Sequence, residues 1–153
     1  MIADKLAQVQ SRIASACAVA ARPVQSVTLL AVSKTFPAGV MREAMAAGQR
    51  CFGENYVQEG VDKIAALGDL RGEIEWHLIG PLQSNKTRIV AEQFDWVQSI
   101  DRLKIAERLS AQRPVGRGPL SVCVQVNISG EATKHGVAPG EAAALAHAVA
   151  ALP

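Results

Sequence analysis

The chain of 153 residues has few aromatic side chains and no long apolar run. Phe, Trp and Tyr together make up 4% of the residues. No stretch approaches the roughly 20 apolar residues that a membrane-spanning helix needs. The net charge is only +2, and the basic residues are scattered rather than interleaved with aromatic ones. These absences argue against a membrane protein and against a nucleic-acid-binding surface.

Cysteine is also scarce. The three cysteines are far apart and in no metal-ligand spacing: Cys17, Cys51 and Cys123. The histidines form no pair on one predicted element: His77, His135 and His147. The cysteines therefore predict small buried side chains in a reducing cytoplasm, and the histidines give no reason to expect a metal site.

An alternation of strand and helix follows an amphipathic helix within Met1 to Arg22. Strand candidates begin near Val27, Gln49, Glu75, Phe94 and Ser121. Helical patterns lie over residues 39–47, 56–67, 84–92, 101–111 and 139–152. One strand about every 24 residues predicts successive βαβ units and a parallel sheet. With no linker or low-complexity segment, we expect one domain over residues 1–153.

Several residues mark where these helices begin and end. Ser84 and Asp101 are expected to cap the starts of their helices through their side-chain oxygens. Gly48 and Gly68 stand where C-terminal caps belong.

Two α/β architectures fit this pattern. A doubly wound sheet of five strands would be complete at this length, whereas a (β/α)₈ barrel typically needs about 250 residues. The first strand is not followed by a glycine-rich turn, so the dinucleotide fingerprint and the phosphate loop are both absent. Periodicity alone does not separate the two architectures.

Lys34 stands at the end of the most strand-like apolar run, Val27 to Val32. A short continuous run of this kind is typical of a strand buried on both faces of a parallel sheet. Pro37 then stops the strand and suits the first turn of a helix. Ligands bind at this end of α/β strands, where a lysine desolvated by burial can capture a carbonyl as a Schiff base. The alternative is a lysine that only extends into solvent.

Other polar residues follow later strands at the same predicted edge. Asn55 follows the second strand, where it would either contact a ligand or cap the next helix. His77 lies in the third strand, where a hydrogen-bonded core histidine is the alternative to a functional one. Glu131 and Lys134 occupy the polar loop after the fifth strand, either in a site or as a solvated ion pair. No serine elbow, paired metal ligands or paired carboxylates accompany them.

Four segments along the chain contain these candidate residues. They read LLAVSKT at 29–35, FGENYVQE at 52–59, WHLIGPLQSNK at 76–86 and NISGEATKHG at 127–136. Together they resemble the pyridoxal-phosphate homeostasis protein family, and the match extends over the whole chain.

This resemblance implies a TIM-type (β/α)₈ barrel like the N-terminal domain of alanine racemase, with about five βα units in this chain. It implies that Lys34 holds pyridoxal 5′-phosphate (PLP) as a Schiff base and that Asn55 contacts the cofactor. His77, in the third segment, is a further candidate for cofactor binding, and Lys134 is a candidate second amine. The expected protein is a cytoplasmic monomer that stores PLP without turnover and supplies it to PLP-dependent apoenzymes.

Two enzymatic alternatives remain open. A PLP-dependent amino-acid racemase needs a base on each face of the substrate carbon. Related racemases take the second base, a tyrosine, from another domain of a partner subunit, whereas this chain has the single tyrosine Tyr56. A Schiff-base aldolase on the same type of barrel is the lower-ranked alternative.

The length departs from the family pattern, since three further βα units would add roughly 70 residues. The resemblance places a serine-rich phosphate site and an arginine facing the pyridine nitrogen in those units. We therefore expect a chain truncated at its C-terminus.

An open barrel of five units would leave two unpaired sheet edges and half of its core in water. We therefore expect the isolated 153-residue polypeptide not to fold stably. Thermal unfolding followed by circular dichroism checks this, and a cooperative transition would contradict it.

Overall fold

The computed structural model describes residues 1–153 and contains one sheet of five parallel strands. The strands are β1 Ala31–Val32, β2 Cys51–Glu54, β3 Glu75–Leu78, β4 Trp96–Ile100 and β5 Ser121–Val124. The α-helices are α1 Ile2–Val19, α2 Ala38–Ala46, α3 Val57–Ala66, α4 Thr87–Gln93, α5 Leu103–Gln112 and α6 Ala142–Ala150. Short 3₁₀ turns precede α4 and α6, at Ser84–Lys86 and Pro139–Glu141. The predicted alternation of strand and helix is confirmed.

The strand order distinguishes the two architectures. The strands lie side by side in the order β1-β2-β3-β4-β5, and every neighbouring pair is parallel. A doubly wound sheet reverses its strand order and carries helices on both faces. Right-handed crossovers that always advance in one direction put every helix on one face. The sheet is therefore singly wound, as in a (β/α)₈ barrel, with five βα units in this chain.

The core lies between the sheet and the helices. Phe52, Trp76 and Leu78 point into it from β2 and β3 and are almost completely buried. Phe94 and Val97 join them from the start of the next unit. The alternate residues of each strand face the other side of the sheet, which no helix covers, and Glu75 on that side is 46% exposed. The sheet thus has one closed face and one open face.

The first strand differs from its sequence-based prediction. The expected strand from Val27 to Val32, buried on both faces, is reduced to Ala31–Val32. Val27 is 37% exposed and Val32 is 49% exposed. The burial prediction was wrong because β1 is an edge strand that pairs only with β2, and because Val32 lies on the open face.

The prediction that Ser84 and Asp101 cap helices with their side chains was wrong. Neither α4 nor α5 has a side-chain cap. The Asp101 carboxylate instead accepts a hydrogen bond from the backbone N–H of Gly136, at 3.2 Å. This contact holds the loop after β5 against the end of β4, so a distant backbone donor replaces the local one.

Glycine ends α2 as expected. Gly48 has φ +96° and donates its N–H to the carbonyl of Met45 at 2.9 Å. Gly68 follows the end of α3 but starts a 3₁₀ turn, Gly68–Leu70, without a positive φ.

The cysteines differ in burial. All three are free thiols; Cys17 is buried, Cys51 is partly buried and Cys123 is exposed. The burial prediction therefore holds for Cys17 and was wrong for Cys123, because that side chain lies on the open face of the edge strand β5.

No helix combines the length and apolarity required to cross a membrane.

Gly80 allows two chain segments to meet next to the carboxyl end of β2. A Cβ atom added at Gly80 would lie 2.7 Å from the carbonyl carbon and 2.8 Å from the Cα of Asn55. Both distances are shorter than real Cβ contacts, so a side chain here would displace the backbone of Asn55.

We therefore expect Gly80→Ala to lower the free energy of unfolding by about 1–3 kcal/mol, as overpacking does elsewhere. Urea denaturation of the purified full-length protein measures the change. Gly39→Ala, in the first turn of α2, is the matched control because nothing lies within 4 Å of its Cβ position. Equal stability of the two variants would contradict the prediction.

Candidate functional site

Lys34 and Asn55 lie just past the carboxyl ends of the neighbouring strands β1 and β2. The parallel register pairs Val32 with Gly53, and the backbone N–H of Ser33 donates to the carbonyl of Gly53 at 3.0 Å. Continued past the strand ends, this register sets Lys34 opposite Asn55. The structure thus brings two of the three predicted site residues to one edge of the sheet.

The Lys34 side chain is exposed and makes no hydrogen bond or ion pair within the chain. It lies in the turn between β1 and α2. The burial expected from the sequence is not observed, because β1 is the edge strand and has no neighbour on its outer side. The amine is therefore free to meet a molecule from solvent.

The Asn55 side chain is also without a partner in the chain. The N-cap of α3 is Tyr56, and no side chain caps that helix. The alternative interpretation of Asn55 as a helix cap is therefore wrong. The partly buried carboxamide keeps both its donor and its acceptor available beside Lys34.

Three charged side chains lie behind this edge, between α3 and the sheet. The Lys63 ammonium donates to Glu54 Oε1 at 2.8 Å and to Glu59 Oε1 at 2.7 Å. Its third bond goes to the backbone carbonyl of Ser33, at 2.7 Å. Lys63 is only 7% exposed and Glu54 is fully buried. All three donors of a buried ammonium are therefore satisfied.

The same carboxylates hold the turn that carries Lys34. The Ser33 hydroxyl donates to Glu54 Oε1 at 2.5 Å. The backbone N–H of Thr35 donates to Glu59 Oε1, also at 2.5 Å. Thr35 has φ +66°, in the left-handed region that a β-branched residue rarely adopts.

Removal of one partner from this network is costly. Glu54 Oε2 is buried and has no hydrogen-bond partner, so the carboxylate depends on the bonds at Oε1. Loss of the Lys63 ammonium would leave a buried negative charge without compensation, which typically costs about 3–5 kcal/mol. The network therefore couples helix α3 to the ends of β1 and β2.

The pKa of the Glu59 carboxyl is lower than its ordinary value. The hydrogen bond from Lys63 lowers the pKa of Glu59 from its ordinary value of 4.5; the Thr35 N–H adds to this effect and desolvation opposes it. Because the pKa is lower in the folded state, the carboxylate stabilises the fold above pH 4.5, and this contribution is lost as the pH falls through the folded-state pKa.

His77 lies on the open face of β3, two residues before the level of Asn55. Its Nε2 is 2.8 Å from Glu75 Oε1, and its Nδ1 is 3.0 Å from Gln98 Nε2. The ring stacks on Trp96 with centroids 5.3 Å apart. Both ring nitrogens are therefore occupied by protein groups, away from the edge that holds Lys34.

Glu75 also links His77 to Cys51. The Cys51 thiol donates to Glu75 Oε1 at 3.5 Å, and one donor atom from each of the three residues lies within 4.8 Å of the others. Such a group can hold a metal ion. Sequence spacing did not indicate it, because its members come from two neighbouring strands. Burial raises the pKa of the Cys51 thiol, and the negative Glu75 adds to the effect.

The loop after β5 carries Glu131 and Lys134, both exposed. They form no ion pair with each other. The Asn127 carboxamide instead donates to the carbonyl of Glu131 at 2.9 Å and accepts from the N–H of Gly130 at 3.0 Å. Lys134 therefore lies at the same end of the sheet as Lys34, but beside the opposite edge strand.

Comparison with known proteins places this geometry in a family. The family model of the alanine racemase N-terminal domain matches residues 5–153. The chain is 59% identical over 152 residues to the pyridoxal phosphate homeostasis protein of Pseudomonas aeruginosa. It is 56% identical over 153 residues to the protein of that name from Escherichia coli K12. Each alignment covers 99% of this chain and 65% of the relative, so the chain spans about two-thirds of their length.

Solved structures agree with this result. PipY of Synechococcus elongatus without PLP superposes with a TM-score of 0.85 at 43% identity, over 100% of this chain and 66% of PipY. PipY with PLP bound gives 0.82 at 42% identity over the same shares. A protein of Bifidobacterium adolescentis gives 0.88 at 38% identity, over 99% of this chain and 64% of that one. The chain belongs to the alanine racemase N-terminal domain family.

Proposed function

We propose that this chain binds PLP, with Lys34 as its covalent anchor, and serves in PLP homeostasis. The observation that carries the proposal is the pairing of an unpartnered Lys34 amine with an unpartnered Asn55 carboxamide at one strand edge. The similarity to PipY, which has been solved with PLP bound, and to proteins named for PLP homeostasis supports it.

The Lys34 amine and the Asn55 carboxamide are groups that suit the binding of PLP. Lys34 would hold PLP through its amine, and the cofactor would supply the aldehyde with which a lysine forms a Schiff base. Asn55 would pack against the ring or hydrogen-bond its 3′-oxygen. Because Lys34 is exposed, free amines can reach the linkage and exchange with the lysine. This accessibility favours storage and transfer of the cofactor.

His77 remains a candidate for cofactor contact. Its two ring nitrogens already face Glu75 and Gln98. A direct polar contact would therefore require one of these bonds to be exchanged. His77 can instead support the site through its ring, which stacks on Trp96, and this role leaves both hydrogen bonds in place.

We propose that the protein has no catalytic turnover. Racemisation requires proton transfer on both faces of the substrate carbon. The single tyrosine, Tyr56, is 63% exposed and stands at the start of α3. It is the one residue of the chain that matches the type of the racemases' second base.

We further propose a cytoplasmic monomer whose recipients are PLP-dependent apoenzymes. Three free cysteines suit a reducing compartment. The remaining features are those implied by the resemblance of the four sequence segments to the homeostasis family.

The anchor is tested by the visible spectrum of the purified full-length protein after incubation with PLP and removal of the free cofactor. We expect a yellow protein whose visible band is lost in Lys34→Ala. Lys104→Ala is the matched control, because Lys104 is an exposed lysine of α5 without hydrogen-bond partners, and it should keep the band. A band that survives Lys34→Ala would show that another group is the anchor. A colourless wild-type protein would favour the aldolase alternative.

The absence of turnover is tested in deuterated water. Incubation of the PLP-loaded protein with one enantiomer of an amino acid should give no α-hydrogen exchange above the rate with free PLP. Proton NMR of the α-position measures the exchange. Exchange that exceeds this background and disappears in Lys34→Ala would identify a racemase-like enzyme instead.

A further inference from the structure

Two lysines of opposite character lie near the carboxyl end of β1. Lys34 is exposed and has no partner, whereas Lys63 is buried and uses all three of its N–H donors. Hydrogen bonds to two carboxylates and a backbone carbonyl engage the Lys63 nitrogen, so it is not available to attack a carbonyl carbon. Lys63 is therefore not a second anchor, and its position calls for another role.

We propose that Lys63, Glu54 and Glu59 form a clamp that positions Lys34. The inference rests on the proposed role of Lys34 as the anchor for PLP. The three residues are positioning residues, since their contacts are with the backbone and side chains on either side of Lys34.

The clamp holds both neighbours of Lys34. On one side, Lys63 Nζ binds the carbonyl of Ser33, and Glu54 accepts the Ser33 hydroxyl. On the other side, Glu59 accepts the N–H of Thr35. The Lys34 side chain makes no hydrogen bond or ion pair of its own, so its direction follows from the backbone that these bonds fix.

The conformation of Thr35 shows why a clamp is needed. A threonine in the left-handed region at φ +66° would relax to another conformation if the chain were free. The bond from its N–H to Glu59 retains it there. Glu59 in turn is fixed by Lys63, four residues later on α3.

Burial of Lys63 and Glu54 distinguishes this clamp from an ion pair on the protein surface. Lys63 and Glu54 are removed from water, and their contacts connect segments that are nine and thirty residues apart in sequence. Exposed pairs contribute little because solvent screens them. Here the pairing is sheltered, and it joins three separate segments at the site edge.

Glu59→Ala is the informative variant, because Glu59 is 26% exposed and its loss leaves the buried Lys63–Glu54 pair intact. Asp62→Ala is the matched control. It removes one carboxylate from the same helix, but Asp62 is exposed and its side chain accepts a hydrogen bond only from Gln58. Both substitutions are made in the full-length protein and in its Lys34→Ala form.

Two readouts are measured. In the cofactor-free protein, hydrogen exchange at the Thr35 amide should accelerate in Glu59→Ala and stay unchanged in Asp62→Ala. On addition of PLP, the visible band should appear roughly 10- to 100-fold more slowly in Glu59→Ala than in wild type, the range expected for a misplaced reacting group. Glu59→Gln, whose amide oxygen can still accept the Thr35 N–H, should recover most of that rate.

The outcomes separate the clamp from the anchor. Unchanged Thr35 exchange, or an unchanged rate of band formation in Glu59→Ala, would overturn the clamp while the Lys34→Ala result still supports the anchor. A band that never forms in wild type, or that persists in Lys34→Ala, would overturn the anchor and the clamp together. Equal slowing in Glu59→Gln and Glu59→Ala would exclude the Thr35 bond as the positioning contact.

Discussion

The desolvation of one ammonium group is the constraint on which the candidate site depends. Lys63 is removed from water, so its three donors must all be satisfied within the protein. The geometry that satisfies them also draws together α3, the end of β2 and the turn after β1. Close approach of α3 to the sheet is a precondition, and Gly60 provides it: a Cβ there would lie 2.5 Å from the ring of Phe94. A small residue in the helix thus permits a long polar one to reach the strands.

Helices cover only one face of the sheet, and this determines where its apolar and polar side chains lie. Large apolar side chains gather on the face covered by helices, where Phe52, Trp76 and Phe94 fill the core. The opposite face carries a polar and aromatic ladder through Glu75, His77 and Trp96. The two faces arise from one alternating pattern, because successive residues of a strand point to opposite sides. The apolar core therefore lies on one face, together with the buried network of Lys63, and the ladder of His77 lies on the other.

Much of the architecture could be predicted from the sequence, because each βα unit carries its own local pattern. The order of strands and helices and the shared edge of Lys34 and Asn55 follow from that pattern. The extent of β1 does not, because pairing at an edge depends on the partner strand and not on the apolar run itself. The cap at Asp101 failed for a related reason, since the nearest donor in space belongs to Gly136, thirty-five residues away.

The network of Lys63, Glu54 and Glu59 was not predicted from the sequence. Glu59 and Lys63 are four residues apart on a helix, a spacing visible in the sequence that is typical of a solvated pair. Lys63 is nevertheless buried, against Glu54 and Ser33, whose positions relative to it are set by the packing of α3 on the sheet. The group formed by Cys51, Glu75 and His77 was missed likewise, since cross-strand register cannot be read along one strand.

The hydrogen bond between Cys51 and Glu75 has a consequence for chemical selectivity. A thiolate adds readily to aldehydes and is the form of cysteine that peroxides oxidise. Burial and the adjacent carboxylate raise the pKa of Cys51 and so keep the thiol protonated. A protein that takes up a reactive aldehyde would thus hold this sulfur on the same sheet in an unreactive form, which leaves the carbonyl to the amine.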